Sequence, residues 1–376
     1  MRPRLRLSLF YAALFTVIGV QLPFWPLYLS SKGMTAAEIG VLLASGYFVK
    51  ILTNPVVGHI VDHRGERRRP MQILAVISLA ATALFAVTGG FVPLLTVTLV
   101  SAAAFTAMMP LGDSLTMLTA IDQRLDYGRI RLWGSLSFIA VSGLAGLLLV
   151  DAPRPAILWA AVAGQMLTLA AIAKLPDIRT VHSAAGSPAA LRPLLAKRSF
   201  QLFLAATSCT QVSHMIYYGF ATLHWRQAGM SGAAIGALWA EGVIAEVLLF
   251  AFGARLLARC GPIWFIAAGG MAGVIRWTIL ALTTDPWVLA SVQFLHAFTF
   301  GANHLGAMHF ISRAAPPTLS ARAQSLYSSV TAGIVPGLAM LFAGKLYQGM
   351  GGGSFLIMSA VSAGALGLSL LQLKQR

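Results

Sequence analysis

Lys50 and Glu246 carry opposite charges, and each lies in the middle of a long apolar stretch. They also share one position of an internal repeat. LYLSSKGMTAAEIGVL (27–42) aligns without gaps on LHWRQAGMSGAAIGAL (223–238) at an offset of 196 residues, and the same offset carries position 50 onto 246. A charge inside a membrane span costs roughly 2.5–3.5 kcal/mol on insertion scales, so it persists where it does chemistry or meets a partner. Lys50 can anchor an anion, because an ammonium attracts a carboxylate far more strongly in low dielectric than in water. It can equally serve as the partner of an acid on a neighbouring helix, such as Asp113. Glu246 can load and release a proton, since a carboxyl's proton affinity rises on burial and falls beside a cation. It can also form a fixed pair with Arg276. Glu241 precedes Glu246 by five residues, about 140° around a helix, so the two cannot share one narrow face. Asp113, in the stretch PLGD, is a further candidate for proton coupling, or a clasp for Arg129 or Arg131.

Other polar groups fall at helical spacing. His296 shares a face with Asn303 or His304, with Phe300 between them, and His309 lies further along. Gln211, His214 and Tyr218 are spaced i, i+3, i+7. Gln21 precedes the aromatic run Phe24, Trp25 and Tyr28, of which the last two also suit a membrane interface. No set of acids, cysteines and histidines has chelating spacing, so neither a metal nor another cofactor is expected. Cys209 and Cys260 are the only cysteines, placed in a span and beside a basic loop, and no disulfide is expected.

These residues need helices in lipid to position them. The chain has 376 residues, 57% hydrophobic and only 10% charged, against about 25% charged in soluble domains. A spanning helix takes about 20 apolar residues. Such runs occur twelve times, near 8–29, 36–60, 71–90, 93–116, 130–150, 155–175, 199–223, 232–256, 263–283, 286–312, 324–348 and 351–373. The fold class is therefore an all-α membrane protein of twelve transmembrane helices in two pseudo-symmetric six-helix bundles. The bundles cover 1–175 and 199–376, joined by a cytoplasmic linker at 176–198. The repeat extends to Phe105-Thr106 and Phe298-Thr299, Arg129 and Arg322, and Ser135 and Ser328, each at offset 193.

The net charge of +16 does not indicate a nucleic-acid partner. Twenty-one of the 27 basic residues fall on one side when the connections are numbered alternately. That bias places both termini in the cytoplasm, and the lipid bilayer, expected to be a bacterial-type inner membrane, is a partner of the chain. The basic start lacks a small-residue cleavage site and reads as the first span. No phosphate-binding glycine loop is present, so direct nucleotide hydrolysis is not expected. No nucleophile–base pair has usable spacing, which argues against an enzyme.

The 2–3 loop reads Gly58-His59-Ile60-Val61-Asp62-His63-Arg64-Gly65-Glu66-Arg67-Arg68. It resembles the loop motif of the major facilitator superfamily at Gly58, Asp62, Gly65, Arg67 and Arg68, and departs from it at His63 and Glu66. PLGDSL (110–115), DYGRIRLWGS (126–135), LWAEGVIAEV (238–247) and LHAFTFGANHLGAMHFI (295–311) resemble the phenylpropionate permease branch along essentially the whole chain. The resemblance implies a monomeric proton-coupled symporter that imports a small organic solute, typically an aromatic carboxylate, by rocker-type alternating access. Export of drugs or metabolites, sugar or nucleoside symport, and a non-transporting sensor or assembly role stay open beside it. In the resembled fold, spans one, four, seven and ten line the solute site. That assigns substrate binding to Gln21, Phe24, Gln211, His214, Tyr218, Phe298, Asn303 and His304, with Lys50 of span two as the anion anchor. Proton coupling falls to Glu246, with Asp113 and Glu241 behind it. Asp62, Arg64, Arg67, Arg68 and Arg129 form a cytoplasmic latch that gates the carrier. Arg276 is structural, because ninth helices are peripheral in that fold.

Overall fold

The computed structural model describes residues 2–176, 192–315 and 320–374. Most of the expected linker, and the side chain of Asp62, lie outside the described residues. What is described is helical, with no strand. The first six helices are α1 (Pro3–Ser31), α2 (Ala36–Arg64), α3 (Arg68–Leu84), α4 (Phe91–Gln123), α5 (Tyr127–Leu149) and α6 (Pro155–Ala173). A single-turn helix follows as α7 (Arg192–Leu195), then α8 (Arg198–Val212), α9 (Met215–Gln227), α10 (Gly232–Phe252), α11 (Ala254–Cys260) and α12 (Pro262–Leu282). Next come α13 (Pro286–Gln293), a π-helical segment (Ala297–Ala302) and α14 (Asn303–Ala314). The chain ends with α15 (Ser320–Ser329), a second π segment (Val330–Ile334), α16 (Val335–Met350) and α17 (Ser354–Leu373).

Each of the twelve apolar runs lies on this helical framework. Among the described residues, eight helical stretches are long and apolar enough to cross a membrane, the last of them running from Arg322 to Leu373 and holding two runs. The other runs fall on α3, on α8–α9 and on α13–α14. The first is short, and the other two are interrupted at Ser213–His214 and at the first π segment. Local chemistry sets the ends. Thr35 and Glu38 form a reciprocal capping box on α2, with Glu38 Oε2 accepting from the Thr35 amide at 2.8 Å and Thr35 Oγ1 from the Glu38 amide at 3.3 Å. Gly65 ends α2 in the left-handed region at φ 67°, which its missing Cβ permits. Asp126 and Asp285 cap α5 and α13.

The helices gather into two compact units. Unit 1 holds α1–α6 and residues 231–240, and unit 2 the remaining described helices, including Glu241 onward. In unit 1, α1 packs on α5 and α6, α3 on α4 and α6, and α2 on α4. In unit 2, α8–α9 pack on α16 and α17, α12 on α14 and α17, and α10 meets the π segment through Gly242 and His296. These pairings repeat span for span, so the sequence repeat is a repeat of packing. Side-chain polar contacts follow it: Gln165 of α6 donates to Thr82 of α3 at 3.4 Å, and Thr278 of α12 bonds Ser359 of α17 at 2.8 Å. Thr82 and Thr278 are 196 residues apart, the offset of the opening repeat.

In lipid, helices associate through close packing rather than water release, and small residues allow it. A Cβ on Gly270 of α12 would lie 2.8 Å from the Leu366 amide nitrogen of α17. Within unit 1, a Cβ on Gly236 would lie 2.7 Å from the Ser142 carbonyl oxygen of α5. The unit 1 core centres on Leu7, Phe10, Tyr11, Met108 and Ile130. In unit 2, Phe203 stacks on Phe310 with ring centres 4.2 Å apart and on Tyr327 at 5.6 Å.

Candidate functional site

Arg276 is wholly buried on α12, and unit 2 is built around its guanidinium. Gln293 Oε1 accepts from Nε at 3.1 Å and from Nη2 at 2.6 Å. Nη1 donates to His296 Nδ1 at 3.1 Å and to Thr299 Oγ1 at 3.2 Å. The Tyr217 and Trp277 rings flank the cation at 4.6 and 4.5 Å, and Gln293 Nε2 donates to the Tyr217 hydroxyl at 3.1 Å. A buried charge is tolerated when its donors are used and its faces covered, and here both hold. Glu241, half-buried on α10, interacts electrostatically with the same guanidinium.

The partners dictate the tautomers. A guanidinium only donates, so His296 Nδ1 accepts, and the neutral imidazole carries its proton on Nε2. That nitrogen faces Glu246 Oε2 at 3.6 Å. The imidazole thus stands between Arg276 and Glu246. His214 Nδ1 donates to the Thr210 carbonyl at 2.8 Å, so its Nε2 accepts from the Thr299 hydroxyl at 3.1 Å. Thr299 therefore receives from Arg276 and donates to His214.

Of the residues expected in spans seven and ten, His214 lies in this cluster, and Tyr218 stacks on it at 5.4 Å. Gln211 is half-buried at the end of α8, just before the chain breaks at Ser213–His214. Asn303 and His304 part company. His304 is exposed and continues a ladder in which Phe300 stacks on His296 at 5.6 Å and on His304 at 6.3 Å. Asn303 is buried towards α12, where its Cβ would meet a Cβ added to Gly269 at 3.6 Å. Phe298 turns away from the polar cluster and packs with Leu257, Phe265 and Ala302. Gln293 and Thr299 were not anticipated. They sit three residues either side of His296, a polar i, i+3, i+6 row that helical spacing makes visible once the histidine is taken as its centre.

Unit 1 holds the other candidates. Lys50 is half-buried on α2, with its ammonium 4.6 Å from the centre of the Tyr47 ring. Among the described residues no carboxylate lies within ion-pair distance of it. Asn54, one turn on, accepts from Thr106 of α4 at 3.4 Å. Asp113 is not the partner of Lys50. Its Oδ1 accepts from Tyr11 at 2.6 Å and from Tyr127 at 3.0 Å, while Arg131 lies over the Phe15 and Tyr11 rings at 4.2 and 5.4 Å. Arg129 is exposed and pairs with Asp126 at 3.4 Å, one turn away. In the 2–3 loop, buried Arg67 donates to Ser114 of α4 at 2.9 Å, and Arg68 to the Leu175 carbonyl at 3.3 Å, after α6. Arg64 is exposed. Gln21 is half-buried, and Phe24 is wholly buried in unit 1. Among the described residues no group of three His, Cys, Asp or Glu side chains is placed to hold a metal.

Paired helical repeats with charged side chains inside each unit fit a polytopic membrane carrier. The chain matches the MFS_1 like family over residues 4–357 and belongs to it, within the major facilitator superfamily. It is 33% identical to the probable 3-phenylpropionic acid transporter of Escherichia coli strain K12, over 96% of this chain and 95% of that one. It is 29% identical to the maltose permease of Geobacillus stearothermophilus, over 98% and 94%. Among solved structures it resembles the D323A mutant of the nucleoside transporter NupG, with a TM-score of 0.85, 16% identity and coverage of 99% and 98%. A bacterial homolog of the human lysosomal transporter Spinster, inward-facing and unoccupied, gives a TM-score of 0.73 at 14% identity, over 99% and 97%. The protein is thus a multi-pass membrane transporter of small solutes and not an enzyme.

Proposed function

We propose that this transporter imports a small aromatic carboxylate, of the phenylpropionate type, together with a proton. Lys50 carries the proposal. It is an ammonium on a membrane-spanning helix with an aromatic ring beside it and, among the described residues, no carboxylate within ion-pair distance. A free cation in that setting favours an anionic guest, and the name of the 33% identical relative supports an aromatic one. Glu246 is the proton-exchanging group, with His296 linking its charge state to Arg276. Tyr218 orients the solute, backed by the buried His214 on which it stacks, Asp113 and Glu241 adjust the coupling, and Arg67 and Arg68 brace the gate by holding α4 and the end of α6. The chain works as a monomer by rocker-type alternating access, in a bacterial-type inner membrane with both termini in the cytoplasm.

The test uses right-side-out vesicles carrying the protein and labelled 3-phenylpropionate under an acid-outside gradient. The label accumulates, and a protonophore abolishes the accumulation. Lys50→Ala weakens acid binding at least about tenfold, the equivalent of one hydrogen bond to a charged group. Glu246→Gln retains exchange of internal for external acid and loses accumulation. Unchanged acid binding in Lys50→Ala removes the anchor, and accumulation only in inverted vesicles reverses the direction.

A further inference from the structure

Unit 2 has a second feature that the proposed chemistry does not use. A pocket of about 410 Å³ lies between α11, α12 and the first π segment. Leu256, Trp264, Phe265, Phe298 and Ala302 make its wall apolar, and Arg259 supplies the one charge among its described lining residues. Its volume falls within the roughly 300–1,000 Å³ of ligand pockets. Among the described residues no carboxylate lies within ion-pair distance of Arg259. An apolar cavity with one uncompensated cation at its edge suits an amphipathic anion.

The rim decides which anion. Trp264 is 54% exposed and Leu256 49% exposed, so large apolar side chains are on the outside of a helical unit that sits in lipid. An exposed Trp beside an Arg is the composition of a membrane interface. Arg259 also belongs to the basic set of connections, which favours the leaflet richer in anionic lipid. We infer that this pocket holds an anionic phospholipid of the surrounding bilayer, with its phosphate on Arg259 and part of an acyl chain against Trp264 and Phe298. Phe298 and Ala302 lie on the π segment that also carries Thr299, so the lipid props the backbone that presents Thr299 to Arg276.

Cys260 lines the same pocket and is exposed, which makes it a reporter. In the full chain bearing Cys209→Ser, the rate of maleimide attack on Cys260 is measured in detergent. Added phosphatidylglycerol slows it at least about fivefold. Phosphatidylcholine with the same chains, glycerol phosphate alone and 3-phenylpropionate leave it unchanged. Arg259→Gln removes the protection. Equal protection by phosphatidylcholine, protection by glycerol phosphate or by the aromatic acid, or full protection in Arg259→Gln overturns the inference. Native mass spectrometry of the unsubstituted chain gives a test that needs no variant to fold. Phosphatidylglycerol stays bound in preference to phosphatidylcholine at equal concentration, and equal retention of both counts against the site.

Discussion

Arg276→Lys separates the geometry of the buried cation from its charge. The arginine forks onto Gln293 Oε1 through Nε and Nη2 while Nη1 serves His296 and Thr299. Lysine keeps the positive charge, but its single nitrogen cannot match the planar fork or lie flat between Tyr217 and Trp277. At least one of the acceptors Gln293 Oε1 and His296 Nδ1 then loses its donor in a site closed to bulk solvent. Each such orphan costs about 1–3 kcal/mol, so one orphan costs the substitution about 1–3 kcal/mol. For a unit of this size each kcal/mol moves the midpoint by roughly 2–4 °C, giving a fall of roughly 2–12 °C. Thermal unfolding of the purified protein in detergent, followed by intrinsic tryptophan fluorescence, measures it. A midpoint within about 2 °C of the unsubstituted protein would refute the reasoning, because it would mean that charge alone, and not the fork, satisfies this site.

Two further outcomes follow from packing and hydrogen bonding. Gly270→Ala places a methyl 2.8 Å from the Leu366 nitrogen and is expected to lower the midpoint by several degrees, whereas Gly364→Ala meets nothing within 4 Å and leaves it unchanged; the same melting experiment reads both. Asp113→Leu strands the hydroxyls of Tyr11 and Tyr127 and costs about 2–4 kcal/mol, while Asp113→Asn keeps an acceptor for them and costs less than half of that. Melting curves for the pair check the order, and equal losses would show that the charge of Asp113, not its acceptor geometry, is what the tyrosines serve.

Much of the architecture was legible in the residues alone. Apolar run lengths located the spans, and the offset of 196 between Lys50 and Glu246 disclosed the repeat that the helix pairings reproduce. The pairing of side chains was less accessible. Tyr11 meets Asp113 across 102 residues, and no local spacing encodes that. The imidazole between Arg276 and Glu246 depends on how α10 and the π segment approach each other through Gly242, where an added Cβ would lie 3.4 Å from His296. The face on which Asn303 lies differs from the helical count for one physical reason. Counting at 3.6 residues per turn assumes an unbroken α-helix, and hydropathy is blind to a π insertion.

That insertion has a mechanical corollary. In a regular α-helix, side chains four apart drift sideways by about 40° at each step. The wider winding at 297–302 cancels most of this drift, which is why the rings of His296, Phe300 and His304 stand nearly parallel, at 12° and 3°. Deleting a single amino acid there would restore the regular winding and with it the sideways drift. The column of rings would come apart while the span still fitted the bilayer.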